Sequence, residues 1–324
     1  MRVLVTGAAG FIGSHVSEAL LDRGDEVVGF DNFDPFYPRA IKERNLGASL
    51  EHSAFHLVEG DLRDPAAVEG LFEQGSYDVV VHLAAKAGVR PSLADPAGYL
   101  AVNLGGTVNL QEAMRRAECK RLVFASSSSV YGDNEKVPFS EGDRVDRPIS
   151  PYAMSKKAGE ELCHVYWMVH GVRTVCLRFF TVYGPRQRPE MAIHKFTRLL
   201  MEGGQIPLYG DGTMERDFTY IDDIVEGVVA SVDRVGELDY EIVNLGNSSP
   251  VSLTELVDLL AREVGRSPQI APRPIPPGDV RRTYADVRRA GEILGFAPRT
   301  PLEEGIRRFV AWCQESPSLV PATE

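Results

Sequence analysis

The stretch Met1-Arg-Val-Leu-Val-Thr6 leads directly into Gly7-Ala-Ala-Gly10-Phe-Ile-Gly13, and this junction decides the fold. The first six residues are mostly apolar and rich in β-branched side chains, which is typical of a buried strand in a parallel sheet. Residues 14–21 then continue with apolar side chains at helical spacing. A strand, a glycine turn and a helix in this order favour a phosphate-binding turn.

The three glycines have separate physical roles in such a turn. Gly7 permits the tight turn, Gly10 lets the backbone approach a pyrophosphate, and Gly13 lets helix and strand pack closely. The free N–H groups at the start of the helix attract an anion. We therefore expect a dinucleotide here, although the spacing Gly-x-x-Gly-x-x-Gly differs from the Gly-x-Gly-x-x-Gly of simpler dehydrogenases.

An acidic residue follows the second predicted strand, residues 26–30, at Asp31. A carboxylate there accepts hydrogen bonds from a ribose diol and repels a 2′-phosphate, so we expect NAD rather than NADP. Further along, Asp61 has two interpretations that the sequence leaves open. It contacts the adenine amino group, or it caps a helix predicted over residues 65–72.

Tyr152 and Lys156 are four residues apart, so on a helix they lie on one face. A nearby cation stabilises a phenolate, and we expect Lys156 to lower the pKa of Tyr152 from its reference of about 10. Such a pair is a general base that works near neutral pH. Ser150 and Pro151 suit the N-cap and first turn of this helix.

The 324 residues carry a net charge of −11, which argues against nucleic acid or an anionic membrane as a partner. The four cysteines have no metal-binding or disulfide spacing; Cys119, Cys163 and Cys176 lie in apolar segments and are expected to be reduced core thiols. Because the first strand begins at Met1, we expect no signal peptide and a cytoplasmic location.

Strand and helix signals alternate through about residue 180, with predicted strands at 78–84, 121–125 and 173–178 and predicted helices at 103–116 and 152–170. The predicted fold class is α/β, a Rossmann-type doubly wound parallel sheet over residues 1–184. Residues 185–324 are predicted to form a smaller C-terminal α/β substrate domain over the carboxyl edge of the sheet. Residues 242–245 leave the boundary open, since they form a strand that can return to the first sheet.

Taken together, the motifs resemble the extended short-chain dehydrogenase/reductase family, in its branch of NAD-dependent nucleotide-sugar epimerases and dehydratases. The matching stretches span nearly the whole chain: residues 6–13, 31–32, 60–62, 82–85, 103, 126–132, 151–156, 178–185, 216–218, 220–223 and 278–280. The resemblance implies NAD as cofactor, a UDP-sugar as substrate and a homodimer built on helices 103–116 and 152–170.

The resemblance also implies residue roles. Tyr152 takes the sugar hydroxyl proton, Lys156 lowers its pKa and bonds the nicotinamide ribose, and Ser127 bridges substrate and phenol. Phe180 and Thr181 flank the nicotinamide and the sugar; Asn103 is near the cofactor or is a buried structural amide. The implied cofactor contacts are Gly7, Gly10, Phe11, Ile12, Gly13, Asp31, Asn32, Asp61, Leu62, Ala84, Ala85, Lys86, Asn103, Tyr152, Lys156 and Phe179.

In this family, hydride removal from sugar C4 gives a 4-keto intermediate beside NADH, which is epimerised, dehydrated or decarboxylated. The related dehydratases carry an acid and a base at the positions of Ser128 and Ser129, and the related decarboxylases carry Glu at the position of Ser129. A serine hydroxyl replaces neither carboxyl at neutral pH. The sequence therefore favours a 4-epimerase over a dehydratase or decarboxylase, and the retained Tyr–Lys pair argues against a non-catalytic dinucleotide-binding regulator.

Residues 31–46, 84–93 and 178–191 resemble the UDP-glucuronate 4-epimerase branch. A 4-keto uronate decarboxylates readily, so its carboxylate must be held in an unreactive orientation, which a bidentate arginine does well. By family position Arg188 is the candidate. Arg186-Gln187 departs from a Trp-Gly common in that branch and also occurs in UDP-glucose/UDP-galactose 4-epimerases, so a neutral or N-acetyl hexose remains the alternative.

The remaining implied substrate contacts divide between sugar and nucleotide. Arg216 and Arg281 are expected to hold the pyrophosphate and Asp279 the uridine ribose, with Pro207 and Tyr209 against the base. The full set of expected substrate contacts is Ser92, Ser128, Ser129, Thr181, Arg188, Pro207, Tyr209, Arg216, Asp279 and Arg281. We expect no metal site.

Overall fold

The computed structural model describes residues 1–276 and 278–315. Pro277 and the last nine residues of the predicted C-terminal domain, 316–324, lie outside the described residues. The strands are β1 (Arg2–Thr6), β2 (Glu26–Asp31), β3 (Phe55–Glu59), β4 (Val79–His82), β5 (Arg121–Ser127), β6 (Arg173–Phe179), β7 (Thr181–Tyr183), β8 (Gln205–Tyr209), β9 (Glu215–Tyr220), β10 (Tyr240–Leu245), β11 (Pro250–Ser252) and β12 (Gln269–Arg273).

The helices alternate with these strands over most of the chain. They are α1 (Phe11–Asp22), α2 (Arg39–Asn45), α3 (Gly47–Leu50), α4 (Pro65–Glu73), α5 (Val89–Ala94), α6 (Pro96–Leu100), α7 (Gly106–Arg116), α8 (Pro151–His170), α9 (Ala192–Glu202), α10 (Ile221–Arg234), α11 (Leu253–Val264), α12 (Arg288–Leu294) and α13 (Leu302–Glu315). A π-helical turn at Ala101–Gly105 precedes α7, and a 3₁₀ turn at Ser128–Tyr131 follows β5.

A seven-stranded parallel sheet forms the centre of the molecule, in the order β3-β2-β1-β4-β5-β6-β10. The predicted doubly wound α/β fold is therefore confirmed. The strand order reverses between β1 and β4, and ligands of such sheets bind in the crevice at the carboxyl ends of the strands there. The glycine turn after β1 and the serines that end β5 both face this crevice.

The second part of the chain builds two small sheets, β11-β9-β7 and β12-β8, and sends β10 back beside β6. One hydrophobic cluster contains Val3 of β1, Val228 of α10 and Phe309 of α13, all without solvent exposure. The division into residues 1–184 and 185–324 stays a prediction. Within the described residues, no helix is long and apolar enough to cross a membrane.

The predicted core thiols are confirmed, since Cys119, Cys163 and Cys176 are free and buried, and so is Cys313. Three of these thiols lie in the cluster of side chains between α7, α8 and the central strands. Ser150 and Pro151 also begin α8 as predicted, because the Ser150 hydroxyl accepts a hydrogen bond of 3.1 Å from the Ala153 amide.

Candidate active site

The turn between β1 and α1 is a cradle that only glycine can form. Gly7 has a φ of +74°, and a Cβ there would lie 2.7 Å from the Ala84 backbone nitrogen. A Cβ at Gly13 would lie 2.0 Å from the carbonyl oxygen of Gly7. Gly10 is the N-cap of α1 and supplies no side-chain cap, so N–H groups of the first turn stay available to an anion.

Asp31 ends β2 on the wall of the crevice, beside the turn. Its two carboxylate oxygens accept hydrogen bonds from the amides of Ala9 at 3.0 Å and Phe33 at 2.8 Å. Each oxygen has a second lone pair, so the carboxylate retains the capacity to accept bonds from a diol. Burial raises the pKa of Asp31, and the positive charge of Lys42 opposes that rise.

Asp61 follows β3 and faces the same end of the crevice, together with Asn32 and Leu62. Hydrogen bonds from Arg63 hold the pKa of Asp61 well below its usual range, and the Asn32 amide donates to Asp61 at 2.9 Å. The helix-capping interpretation of Asp61 is wrong, because Asp64 is the N-cap of α4 and accepts from the Ala66 amide.

Ala84, Ala85 and Lys86 follow β4 and line the crevice as a short loop. Asn103 lies behind this loop rather than on the wall. Its amide oxygen accepts from the Lys86 backbone at 2.8 Å, and its nitrogen donates to the Lys86 carbonyl and the Ser155 hydroxyl, each at 2.9 Å. Both N–H groups of the amide and one lone pair of its oxygen bind groups of the chain itself, and Asn103 is not on the crevice wall, so the structure favours the structural interpretation of this residue.

Ser127 and Tyr152 meet where β5 ends against the first turn of α8. Ser127 is the N-cap of the 3₁₀ turn and accepts from the Ser129 amide at 3.2 Å. Burial raises the pKa of Tyr152, and the hydroxyl of Ser127 and the charge of Arg188 oppose that rise. The side chains of Ser127, Tyr152 and Lys156 all line the crevice.

The expected effect of Lys156 on Tyr152 is not what the structure shows. The Lys156 ammonium donates to the carbonyl of Ala125 at 2.6 Å, and burial lowers its own pKa to about 8. Burial raises the pKa of Tyr152, and the groups that oppose this rise are the Ser127 hydroxyl first and the charge of Arg188 second. Spacing on a helix placed both side chains on one face but could not give the direction of the lysine head group.

Glu160 of α8 is buried and joins this helix to both β5 and β6. Glu160 of α8 accepts from Arg178 of β6 through two bonds of 2.8 Å and from the Ser126 hydroxyl at 2.6 Å. Arg178 and Glu160 are 1% and 0% exposed. Because Ser126 precedes Ser127 and Glu160 lies two turns after Tyr152, the Ser126–Glu160 bond holds β5 against α8, while the Arg178–Glu160 pair holds β6 against the same helix.

Arg188 lines the crevice from the loop between β7 and α9. That loop is held down just before Arg188. His15 of α1 bonds the Pro185 carbonyl at 3.0 Å, Arg186 pairs with Glu18 at 2.9 Å, and Gln187 donates to the Val182 carbonyl at 2.9 Å. Arg186 has a φ of +65°, which a non-glycine residue adopts at some cost.

Of the other expected sugar contacts, three line the crevice and one does not. Ser128, Ser129 and Thr181 line the crevice, as do Phe179 and Phe180. Ser92 does not: its side chain is fully buried and its hydroxyl donates to the Val89 carbonyl of its own helix at 2.6 Å. The expected contact between Ser92 and the sugar is therefore wrong.

The expected nucleotide contacts lie beside the crevice rather than on its wall. Arg90 pairs with Asp279 at 2.6 Å, and its guanidinium carbon lies 4.4 Å from the centre of the Tyr209 ring. Burial lowers the pKa of Arg216, and the charges of Asp279 and Arg90 also act on it. Arg90, Tyr209, Arg216 and Asp279 thus form one cluster.

Pro207 is on β8, the strand that ends at this cluster. The backbone carbonyl of Arg281 accepts from the Glu215 amide at 3.0 Å, next to Arg216. Both residues are close in the chain to members of the cluster, and their proposed contacts with a nucleotide stay predictions.

Among the residues of the crevice wall that were absent from the expected site are Tyr37, Lys42 and Tyr99. The Tyr99 ring lies 6.2 Å from that of Tyr152 in a T-shaped contact, and its hydroxyl donates to the Ala87 carbonyl at 3.0 Å. Lys42 is 6% exposed and lies over the Tyr37 ring. The sequence shows a lysine eleven residues after Asp31, but its burial is seen only in the structure, and nothing in the sequence pointed to Tyr99.

Comparison with known proteins assigns the chain to a protein family. Residues 3–246 match the family model described as the NAD dependent epimerase/dehydratase family. UDP-glucuronate 4-epimerase 3 of Arabidopsis thaliana is 46% identical over 329 residues, which cover 96% of this chain and 76% of that protein.

Two solved structures show the same fold. A UDP-glucuronic acid 4-epimerase from Bacillus cereus, in complex with UDP-glucuronic acid and NAD, is 36% identical with a TM-score of 0.92 over 97% of this chain and 99% of its own. A UDP-glucose 4-epimerase from Thermus thermophilus, in complex with NAD, is 35% identical with a TM-score of 0.87 over 97% and 99% of the two chains.

Proposed function

Since the chain belongs to the NAD dependent epimerase/dehydratase family, we propose that it is a UDP-glucuronate 4-epimerase that interconverts UDP-glucuronate and UDP-galacturonate. One observation of the site supports the choice of sugar: Arg188 faces the same crevice as Tyr152 and acts on its pKa. Ser128 and Ser129 also line this crevice, and the family resemblance puts the acid and base of the dehydratases at these two positions.

The residues present fit NAD. The cradle of Gly7, Gly10 and Gly13 leaves no space for a Cβ at its first and last positions, and it ends at the open N-terminus of α1. A pyrophosphate suits that terminus, and the carboxylate of Asp31 suits the diol of a ribose without a 2′-phosphate. Bound NAD would supply the acceptor for the C4 hydride and a positive charge.

Tyr152 is the residue that would take the proton of the C4 hydroxyl. The nearby Ser127 hydroxyl and the Arg188 charge both favour its phenolate, which burial disfavours. Lys156 holds its ammonium beneath the end of β5 through Ala125 and is the cation closest in sequence to the phenol. After the sugar turns, the same phenol would return the proton, so a single base serves both directions.

Arg188 would bind the carboxylate of the uronate. Its planar guanidinium suits a bidentate contact that keeps the carboxylate bond out of line with the C4 ketone. In that orientation the 4-keto intermediate does not lose carbon dioxide. A decarboxylase would need the opposite orientation. Thr181, the first residue of β7, also lines the crevice and would supply a second, hydroxyl contact.

The nucleotide would extend from the crevice to the cluster of Arg90, Tyr209, Arg216 and Asp279. The cluster joins the crevice through Val89, which lines the wall and lies against Gly278. Arg216 and Arg281 suit the pyrophosphate, Asp279 suits the uridine ribose, and the Tyr209 ring suits the uracil base. Pro207 and Arg281 are the outer members of this proposed site.

A product assay tests the proposed function. The protein with NAD is incubated with UDP-glucuronate, and the nucleotide sugars are separated and identified by NMR. We expect UDP-galacturonate at equilibrium with the substrate and no UDP-4-keto-pentose. Conversion of UDP-glucose or UDP-N-acetylglucosamine, with UDP-glucuronate left unchanged, would assign the enzyme to the neutral sugars.

The proposed assembly is a homodimer through α7 and α8. Val165, Met168 and Val169 lie on one side of α8 and are 50%, 62% and 66% exposed, which is high for apolar residues of one helix face. A light-scattering mass of about twice 35.6 kDa is the expected result.

A cytoplasmic location is likewise proposed, supported by the four free cysteines.

A further inference from the structure

Arg188 already has a carboxylate beside it within its own loop. Its Nη2 atom lies 2.9 Å from Oε1 of Glu190, and the two side chains are 19% and 39% exposed. In the part of the chain that the structure describes, Glu190 is the one carboxylate in ion-pair contact with Arg188. The remaining contacts of the guanidinium are weak ones, with the Met191 sulfur at 3.8 Å and over the Phe36 ring at 5.6 Å.

The pair is not what holds the loop in place. The bonds of His15 to Pro185, of Arg186 to Glu18 and of Gln187 to Val182 fasten the residues just before Arg188. The His194 ring adds a bond of 2.6 Å to the Gln187 carbonyl. Removal of the Glu190 charge therefore leaves the loop attached and changes chiefly the charge around the guanidinium.

Both members of the pair act on the interior of the crevice. The charges of Arg188 and Glu190 oppose each other in their effects on the pKa of Tyr37 and of Tyr99, which burial raises in both cases. A second carboxylate that enters this space meets an arginine whose charge is already partly balanced. A neutral sugar meets no such competition, because its hydroxymethyl group does not bind the guanidinium as an ion.

We propose that Glu190 is a specificity-determining residue, which competes with the carboxylate of a uronate sugar for Arg188. The inference rests on the proposed function and deepens it. An entering uronate exchanges one carboxylate for another on the same arginine, so its affinity is set by the difference between the two ion pairs. A neutral hexose leaves the Arg188–Glu190 pair in place and gains nothing from Arg188.

The test is the binding of two UDP-sugars to a variant that lacks the competing charge. Glu190→Gln is made in a Tyr152→Phe background so that turnover does not change the ligand during titration. The dissociation constants of UDP-glucuronate and UDP-glucose are measured by calorimetry on NAD-loaded protein. We expect UDP-glucuronate to bind about two- to five-fold more tightly, the range of a partly exposed ion pair, and UDP-glucose to bind as before.

Two matched variants separate competition from a general change of charge. Asp34 also lines the crevice, and Asp34→Asn removes the same charge without touching Arg188. We expect it to leave the ratio of the two dissociation constants unchanged. In an Arg188→Ala background, Glu190→Gln is expected to have no effect on either sugar.

Other outcomes overturn the inference. Weaker binding of UDP-glucuronate by Glu190→Gln would mean that Glu190 orients Arg188 instead of competing. Unchanged binding, or equal tightening of both sugars, would mean that the pair has no part in specificity. Failure of the proposed function is scored separately, as absence of UDP-galacturonate from the unsubstituted protein, and it leaves the binding comparison interpretable.

Discussion

The two ends of the crevice are built in different ways. At the cofactor end, the cradle is backbone: a turn in which added Cβ atoms would collide with Ala84 or Gly7, followed by a helix N-terminus. At the end proposed for the sugar, the wall is made of side chains, among them Thr181 and the loop residue Arg188. Helix α1 serves both ends, because its first turn forms the cradle and its flank holds the loop through His15 and Glu18.

This difference separates the cofactor site, which members of the family share, from the sugar site, which differs with the substrate. A backbone surface accepts one shape of ligand and tolerates almost no substitution. A side-chain contact can be exchanged with little effect on the fold, so it is where one member of a family acquires a different sugar. A substitution at one end of the crevice is therefore expected to leave the other end unaffected.

The largest effect is expected at the cradle. Gly13→Ala places a Cβ 2.0 Å from the Gly7 carbonyl oxygen, so α1 must move away from β1. We expect loss of bound NAD and a decrease of about 3 kcal/mol or more in the free energy of unfolding. NAD content of the purified protein and urea denaturation measure both.

Gly70→Ala is the control for the cradle, since a Cβ at Gly70 in α4 meets no atom within 4 Å. It is expected to leave NAD content unchanged and to stabilise the protein slightly. Retention of NAD by Gly13→Ala would contradict the account of the cradle.

Removal of the phenol hydroxyl is the next largest effect. Tyr152→Phe keeps the ring and its packing against Tyr99 but leaves no group to take the proton. We expect kcat to fall by about 10²- to 10⁴-fold with NAD content unchanged. Tyr99→Phe, which loses one bond to the Ala87 carbonyl, is expected to cost less than about tenfold. Equal losses in the two variants would remove the distinction between them.

Arg188→Ala tests the sugar end. Loss of a charged hydrogen bond of about 1.5–3 kcal/mol raises KM for UDP-glucuronate about 10- to 100-fold. NAD content and the binding of UDP-glucose are expected to stay as they are, because neither depends on this guanidinium. Arg144→Ala, at an exposed ion pair with Asp146, is the control. A loss of NAD in Arg188→Ala would show that the two ends are not separate.

The smallest effect concerns pH at the cofactor end. His82 of β4 is buried between the hydroxyls of Thr6 and Thr107, and burial lowers its pKa from 6.5 to about 3. Between these values the unfolded chain binds a proton that the folded chain does not. Stability therefore rises with pH across this window and is lost on acidification, by about 1.4 kcal/mol per pH unit for one proton.

His82→Gln retains a donor and an acceptor but does not titrate. Urea denaturation of both proteins between about pH 4.5 and 6.5 compares the slopes of stability against pH. We expect a shallower slope for the variant, by up to one proton. Burial also lowers the pKa of His15 to about 4. Because His15 is present in both proteins, it contributes equally to both slopes and does not affect the difference between them. Equal slopes would mean that His82 is protonated in the folded protein.

The sequence predicts the cofactor end well and the sugar end poorly, for a physical reason. Glycine spacing after a strand reports a backbone geometry directly, so the cradle and the parallel sheet follow from Met1 to Gly13. The direction in which a side chain points has no comparable pattern in the sequence. Helical spacing placed Tyr152 and Lys156 on one face, yet Lys156 turns to the Ala125 carbonyl, and Ser127 and Arg188 act on the phenol instead.

Two expectations were wrong and one residue was missed, each for a local reason. Ser92 was expected on the wall, but a serine in the first turn of a short helix bonds the backbone of its own helix. Asp61 was offered as a cap, but Asp64 stands one residue before α4. Tyr99 reaches Tyr152 from a distant part of the chain, and only the packing of α6 against α8 brings the two rings together.

One measurement addresses the central claim, that the chain inverts C4 of a uronate while its carboxylate stays attached. UDP-glucuronate with deuterium at C4 is incubated with the protein and NAD, and the products are identified by NMR and mass spectrometry. The account predicts UDP-galacturonate that retains the deuterium at C4. UDP-4-keto-pentose as the product, loss of the label to water, or turnover of UDP-glucose alone would contradict it.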